Sequence, residues 1–136
     1  MTGKNRLENA RAEASLGDDA LRASEALLAL GLANDAVSRA YYAAFHYARA
    51  LLLALGEEPR THGGLHRLVM RDLVRTGELE PEMGEILSQL QSFRLEADYG
   101  AEFVFTSTKA TEEVSNSRRF VATARQWLER GGWIAA

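Results

Sequence analysis

The chain contains no cysteine and only two prolines in its 136 residues. The first absence excludes disulfides and thiolate metal sites, and a cytoplasmic protein is the expectation. The scarcity of proline leaves long stretches free to run as uninterrupted helix. No apolar run approaches the roughly 18 residues that a membrane span requires; the longest, Ala50–Leu55, is far shorter. The opening MTGKNRLENARAEA lacks the apolar core of a signal peptide. A basic excess is missing too. Lys plus Arg is 16 against 19 for Asp plus Glu, a formal net charge of -3, so bulk charge does not make this a nucleic-acid coat. There is no nucleophile elbow, phosphate-cradling glycine loop or dinucleotide fingerprint, and no cofactor is expected.

What is there favours helix. Hydrophobic residues make up 46% and charged residues 26%, with Ala, Leu, Glu and Arg prominent, enough to bury a core and remain hydrated. Helical spacing divides the chain into five segments. The first runs from about Asn5 to Leu30, with Leu16, Ala20, Leu21, Ala23, Leu27, Leu28 and Leu30 as its apolar positions and a stop at Gly31. The second starts near Asn34, an N-cap candidate, and ends at Leu55 before Gly56 and Pro59. Its alanines (Ala36, Ala40, Ala43, Ala44 and Ala48) permit close approach of neighbours, which puts it at the centre. The third follows Thr61-His62-Gly63-Gly64 and ends at Gly77, with His62 ahead of the helix proper. The fourth begins at Pro81 and stops near Gly100; the fifth covers about Ser107 to Arg130, leaving Gly131–Ala136 as a loosely held tail. Residues 101–105 could form a short extended piece. Short connections between long helices imply an all-α, up-and-down antiparallel bundle, one domain with its core at about 5–130.

Asp35, Arg39, Tyr42, His46 and Arg49 are spaced by four, three, four and three residues, so they share one side of helix two. The opposite side carries Ala36, Ala40, Ala44, Leu51 and Leu55. A helix this apolar must bury itself, and its polar stripe must therefore meet partners: core-edge hydrogen bonds, a site, or a subunit interface. On helix four, Arg94 and Asp98 are i and i+4, at the margin of the stripe formed by Leu87, Leu90, Phe93 and Ala97. An arginine there can lay its stem on apolar surface and show its guanidinium to solvent or a phosphate. Tyr99 lies about 140° further round than Arg94 at 100° per residue, off that face in a straight helix. His62 and His66 are i and i+4 but lack the neighbouring Glu of a metalloprotease, and no metal is expected.

The run Ser38-Arg39-Ala40-Tyr41-Tyr42-Ala43-Ala44-Phe45-His46-Tyr47-Ala48-Arg49-Ala50-Leu51-Leu52 resembles the second helix of HEPN domain proteins. Pro59-Arg60-Thr61-His62-Gly63-Gly64-Leu65 resembles that family's entry to helix three, and Arg94-Leu95-Glu96-Ala97-Asp98-Tyr99 its Arg…Ala-Asp-Tyr segment. The resemblance spans roughly Ser15 to Val121. It implies a helical bundle that dimerises and is paired with a minimal nucleotidyltransferase, the HEPN protein as toxin and the transferase as antitoxin. It further implies a metal-independent endoribonuclease in which an Arg steadies the phosphate and a His, four to six residues on, moves the proton while the ribose 2′-OH attacks.

Arg94 matches the Arg of that motif, but Tyr99 stands where the His would be, and no His follows within six residues. A phenol titrating near pH ~10 is a poor base at neutrality beside an imidazole near ~6.5. The sequence reading therefore assigns Arg94, Asp98 and Tyr99 to the site with His46 as the replacement imidazole, and Asp35, Arg39, Tyr42 and Arg49 to nucleotide or RNA binding. The missing His equally suits a non-catalytic dimeric module that holds a nucleotide or a partner. A purely structural adaptor would use the same polar stripe as its interface.

Overall fold

A computed structural model describes residues 3–100 and 104–136. Five helices follow one another: α1 Gly3–Ala29, α2 Ala33–Ala54, α3 His62–Val69, α4 Pro81–Tyr99 and α5 Ser107–Arg130, with no strand among the described residues. A π-helical turn, Met70–Val74, continues α3. Long helices joined by short turns pack antiparallel, as expected. The stops at Gly31, Gly56 and Gly77 hold, each glycine having positive φ. The segment proposed as extended lies partly outside the described residues; Val104 to Thr106 has no regular structure.

α2 is the axis of the bundle, and α1, α3, α4 and α5 all pack on it. Most of its residues are buried, including Tyr41, Tyr47 and the Leu51–Leu53 run. Alanine on every side lets neighbours approach to backbone range, and the few large side chains fill the gaps between them. α1 obeys the same rule, and here the sequence reading needs correction. Its buried face is Ala10, Ala14, Gly17, Ala20 and Ser24. Leu16 and Leu30 lie outside, 49% and 74% exposed, because helices in such close contact have no room for leucine at the seam. Leu55 is likewise 40% exposed, a C-cap rather than part of the buried side.

Two buried serines stitch the small-residue seams. Ser24 donates to the Ala36 carbonyl at 2.7 Å, and Ser117 to the Ala40 carbonyl at 2.6 Å, so each hydroxyl is satisfied where no water reaches. Asn34 is not the N-cap of α2. Leu32 holds that position without a side-chain cap, and the Asn34 Oδ1 accepts the Phe105 N–H at 2.8 Å, tying the start of α2 to the approach to α5. His62 is the first residue of α3, not a residue ahead of it, because Thr61 caps the helix by accepting the Gly64 N–H at 2.8 Å.

The C-terminal tail is held, contrary to expectation. The Trp133 N–H donates to the Leu128 carbonyl at 2.9 Å, and its carbonyl accepts from Arg11 Nε at 3.0 Å. Arg6 stacks over the indole at 5.4 Å, and Trp133 and Ile134 pack on the core. Trp127 lies against the core as its spacing predicts and donates its indole N–H to Glu78 at 2.9 Å.

Candidate functional site

The second to fourth turns of α2 meet α4 and the start of α3 in a cluster of rings and cations. Arg94 enters from α4. Its guanidinium carbon sits 5.2 Å from the Tyr41 ring centroid and 5.7 Å from that of Tyr42. The residue is only 7% exposed, so the side chain is folded under the rings rather than shown to solvent as the spacing suggested. A stem that would have to cross apolar surface to reach water instead finds two aromatic faces, which attract a cation.

Burial of a guanidinium calls for partners at its five donors. Arg94 has few. Its NH2 donates to Gln91 Oε1 at 3.2 Å, and its NH1 lies 3.7 Å from Asp98 Oδ2, beyond hydrogen-bond range. Its Nε is buried with no partner among the described residues. The charge is thus half-answered, which is costly in a closed interior and useful if an anion completes it.

Two further groups share the Tyr41 face. The Tyr41 hydroxyl and His62 Nδ1 are 2.5 Å apart, and the two rings lie 5.7 Å apart. Phe45 covers the imidazole at 4.6 Å with a 30° tilt. Burial, and then the Arg94 charge, push the His62 pKa below its ordinary 6.5. Burial also raises the Tyr41 pKa well above its ordinary value, and the Arg94 charge opposes that only in part. At neutral pH the trio is therefore a protonated phenol, a neutral imidazole and a cation. On the outer side, Arg39 lies over the Tyr42 ring at 4.5 Å, so Tyr42 has a guanidinium near it from each of two helices. Arg39 is exposed, with no ion pair among the described residues.

The remaining residues of the polar stripe have other polar partners, or none among the described residues. His46 and Arg49 turn to α1, where His46 Nδ1 is 2.7 Å and Arg49 Nε 3.2 Å from the Glu13 carboxylate. Arg49 also donates to the Pro59 carbonyl at 3.4 Å. Tyr99 is 74% exposed at the end of α4, away from the rings that cover Arg94. Asp35 is exposed in the first turn of α2, beside an apolar depression of about 300 Å³ between the α1–α2 turn and the start of α5. The structure thus brings together Arg94, Asp98, Tyr42 and Arg39 from the sequence reading. It adds Tyr41, His62 and Gln91, places His46 at the edge, against Tyr42 at 6.4 Å and Phe45 at 5.3 Å, and leaves out Arg49, Asp35 and Tyr99.

A sequence profile described as "HEPN domain" matches residues 7–127, nearly the whole bundle. The chain belongs to the HEPN family. Among similar proteins is "Putative toxin MJ0605" of Methanocaldococcus jannaschii, 34% identical over 130 residues that cover 96% of this chain and 91% of that protein. "UPF0332 protein glr0978" of Gloeobacter violaceus is 34% identical over 119 residues, 87% and 90% of the two chains. A UPF0332 protein of Thermotoga maritima is 29% identical over 96 residues, 71% and 73% of each.

Within this HEPN domain, the segments that carried the resemblance are the ones that converge: α2 with Tyr41 and Tyr42, the Thr61-capped start of α3 with His62, and α4 with Arg94. Among the described residues no helix is long and apolar enough to cross a membrane, and no three His, Asp or Glu side chains gather as a metal site.

Proposed function

We propose that this HEPN protein is the toxin-type member of a pair with a minimal nucleotidyltransferase, that it binds RNA at Arg94, and that it cleaves it without a metal ion. The observation that carries the reading is the guanidinium of Arg94: nine-tenths buried, its Nε unpartnered, its one carboxylate neighbour at 3.7 Å. Such a group takes a phosphate oxygen pair in fork geometry and gains what burial has withheld. The exposed guanidinium of Arg39, laid over the Tyr42 ring at 4.5 Å, offers an unpaired base a plane to stack on, a usual way of holding single-stranded RNA. The name of the M. jannaschii relative supports the toxin assignment. Leu95 and Tyr99, exposed at i and i+4 on α4, supply an apolar strip for a second copy of the chain.

The test is purified protein with end-labelled RNA in excess chelator, run beside Arg94→Ala, with growth on induction followed in parallel. Cleavage and growth arrest by the wild type, both lost in the variant, are expected. A variant that keeps both removes Arg94 from the site.

One observation favours a second reading, a non-catalytic module that holds a nucleotide or its transferase partner. α4 carries no imidazole after Arg94, only the exposed Tyr99. In the same experiment, binding without cleavage selects that reading.

A further inference from the structure

We propose that His62, reaching the site from the first turn of α3, is the proton-transfer residue of the RNA cleavage inferred above, on which this assignment rests. The chain has three histidines. His46 is tied to Glu13 on the α1 side. His66 is partly exposed, one turn further along α3, with its Nε2 buried and without a partner among the described residues. His62 shares the Tyr41 ring with Arg94, 5.2 Å from the guanidinium carbon and 5.7 Å from the imidazole centroid; His46 lies against the neighbouring Tyr42 ring at 6.4 Å, but its Nδ1 is taken by Glu13.

Three features hold the imidazole in place. The Thr61 cap fixes the first turn of α3, on which His62 sits. Phe45 lies against the ring, 4.6 Å between centroids. The Tyr41 hydroxyl takes up Nδ1 at 2.5 Å, and no described residue bonds Nε2. The assignment requires the tautomer with the proton on Nδ1, donated to the phenol oxygen, which leaves the free lone pair on Nε2; the opposite tautomer, with the phenol donating to Nδ1, would make Nε2 a donor. This is the tautomer logic by which a second group orients a catalytic imidazole. The charged and titratable groups that face the ring are Tyr41 from α2, Arg94 from α4 and His66 from its own helix. None is an anion, so the imidazole stays neutral and able to accept a proton near neutrality.

The step is an internal transesterification. His62 Nε2 takes the proton of the ribose 2′-OH as that oxygen bonds to phosphorus. The P–O5′ bond breaks, and the leaving 5′ oxygen takes a proton from water. The imidazolium returns its proton to the hydroxide so formed. Products are a 2′,3′-cyclic phosphate and a 5′-hydroxyl, with no oxidant or metal in the balance. Arg94 neutralises the charge that grows on the non-bridging oxygens.

The experiment uses the full chain in chelator with two labelled probes: an RNA, and the same sequence carrying 2′-deoxyribose at every position, which binds and cannot react. His62→Gln is expected to cut RNA cleavage by about 100-fold or more while affinity for the deoxy probe stays near wild type. His46→Gln is expected to cleave like the wild type. Added imidazole should partly restore His62→Ala, a rescue that a merely structural role would not give. The wild-type kcat/KM profile should fall on an acidic limb below about pH 6.5. Full activity in His62→Gln, or a wild-type profile flat from about pH 5 to 7, overturns the assignment. Wild-type protein that binds RNA without cutting it also overturns it and leaves the Arg94 phosphate site standing. Protein that neither binds nor cuts removes both.

Discussion

The hydroxyl of Tyr41 and Nδ1 of His62, 21 positions apart in the chain, meet at 2.5 Å. The contact fastens the middle of α2 to the first turn of α3 beside a buried cation. Tyr41 is fully buried, and His62 is partly so. Tyr41→Phe keeps the ring that packs against Arg94, Tyr42 and Phe45 and deletes only the hydroxyl. It leaves Nδ1 without its partner, at a cost of about 1 kcal/mol. Chemical denaturation should show a lower midpoint with an unchanged m-value; a changed slope would mean that the variant loosens the bundle instead.

The histidines of α3 give the fold a pH dependence of definite sign. Burial and the Arg94 charge hold His62 below 6.5, and burial and the His62 charge hold His66 below it. The unfolded chain protonates both near pH ~6.5 and the folded chain only at lower pH. Between those values the unfolded state holds more protons, so stability is complete above about 6.5 and declines as the pH falls. Asp72 and Glu82, held low by Arg71 and Arg119, act in a separate window below their ordinary 3.8 and 4.5. Thermal melts should fall from about pH 7.5 to 5.5, and His66→Leu should flatten that fall. A wild-type melting temperature constant over this range would contradict the assignment.

Periodicity and composition carried the bundle: helix number, order and approximate ends followed from alanine-rich α2, the glycine stops and Pro81. They did not carry burial at a crowded seam. Leu16 and Leu30 look like core residues until one sees that Ala10, Ala14 and Gly17 bring α1 too close to α2 for leucine. The site was half legible for a similar reason. Helical spacing grouped Tyr42 with Arg39, and Arg94 with Asp98, because those pairs lie on one helix. The approach of His62 to Tyr41 depends on how the α2–α3 turn folds back, which spacing along either helix does not encode. Thr61 was the available signal: a capping residue there puts His62 inside the helix. The bond that holds His46 was not legible either, because its partner, Glu13, is on a third helix.

Arg94 and Arg39 should separate by kind of effect. Arg94→Lys keeps a charge but loses the planar fork and the stacking on Tyr41 and Tyr42. RNA affinity should drop by about tenfold or more, with circular dichroism unchanged. Arg39 is exposed and lies over the Tyr42 ring. Arg39→Ala should weaken binding modestly and lower the slope of log K against log salt by about 1, without moving the melting temperature. Titrations at several salt concentrations check both. An unchanged slope in Arg39→Ala would mean that it contacts no phosphate.

Gly17 tests the close approach of α1 and α2. A Cβ there would lie 2.5 Å from Tyr47 Cδ2 and 3.2 Å from the Ala43 carbonyl oxygen. Tyr47 cannot swing aside: it is fully buried, and its hydroxyl donates to Asp18 at 2.5 Å and accepts from Arg125 at 2.8 Å. Alanine in mid-helix is worth about 1 kcal/mol over glycine, but overpacking costs about 1–3 kcal/mol, and displacing Tyr47 would strain the hydrogen bonds that join α1, α2 and α5. Gly17→Ala should therefore be net destabilising, by about 1–2 kcal/mol, with a melting temperature lower by roughly 5 °C or more. Gly63 is the control. It is also helical, but nothing lies within 4 Å of its added Cβ, so Gly63→Ala should gain up to about 1 kcal/mol. If Gly17→Ala gains stability as Gly63→Ala does, helix propensity rather than packing governs Gly17, and the seam is looser than its distances indicate.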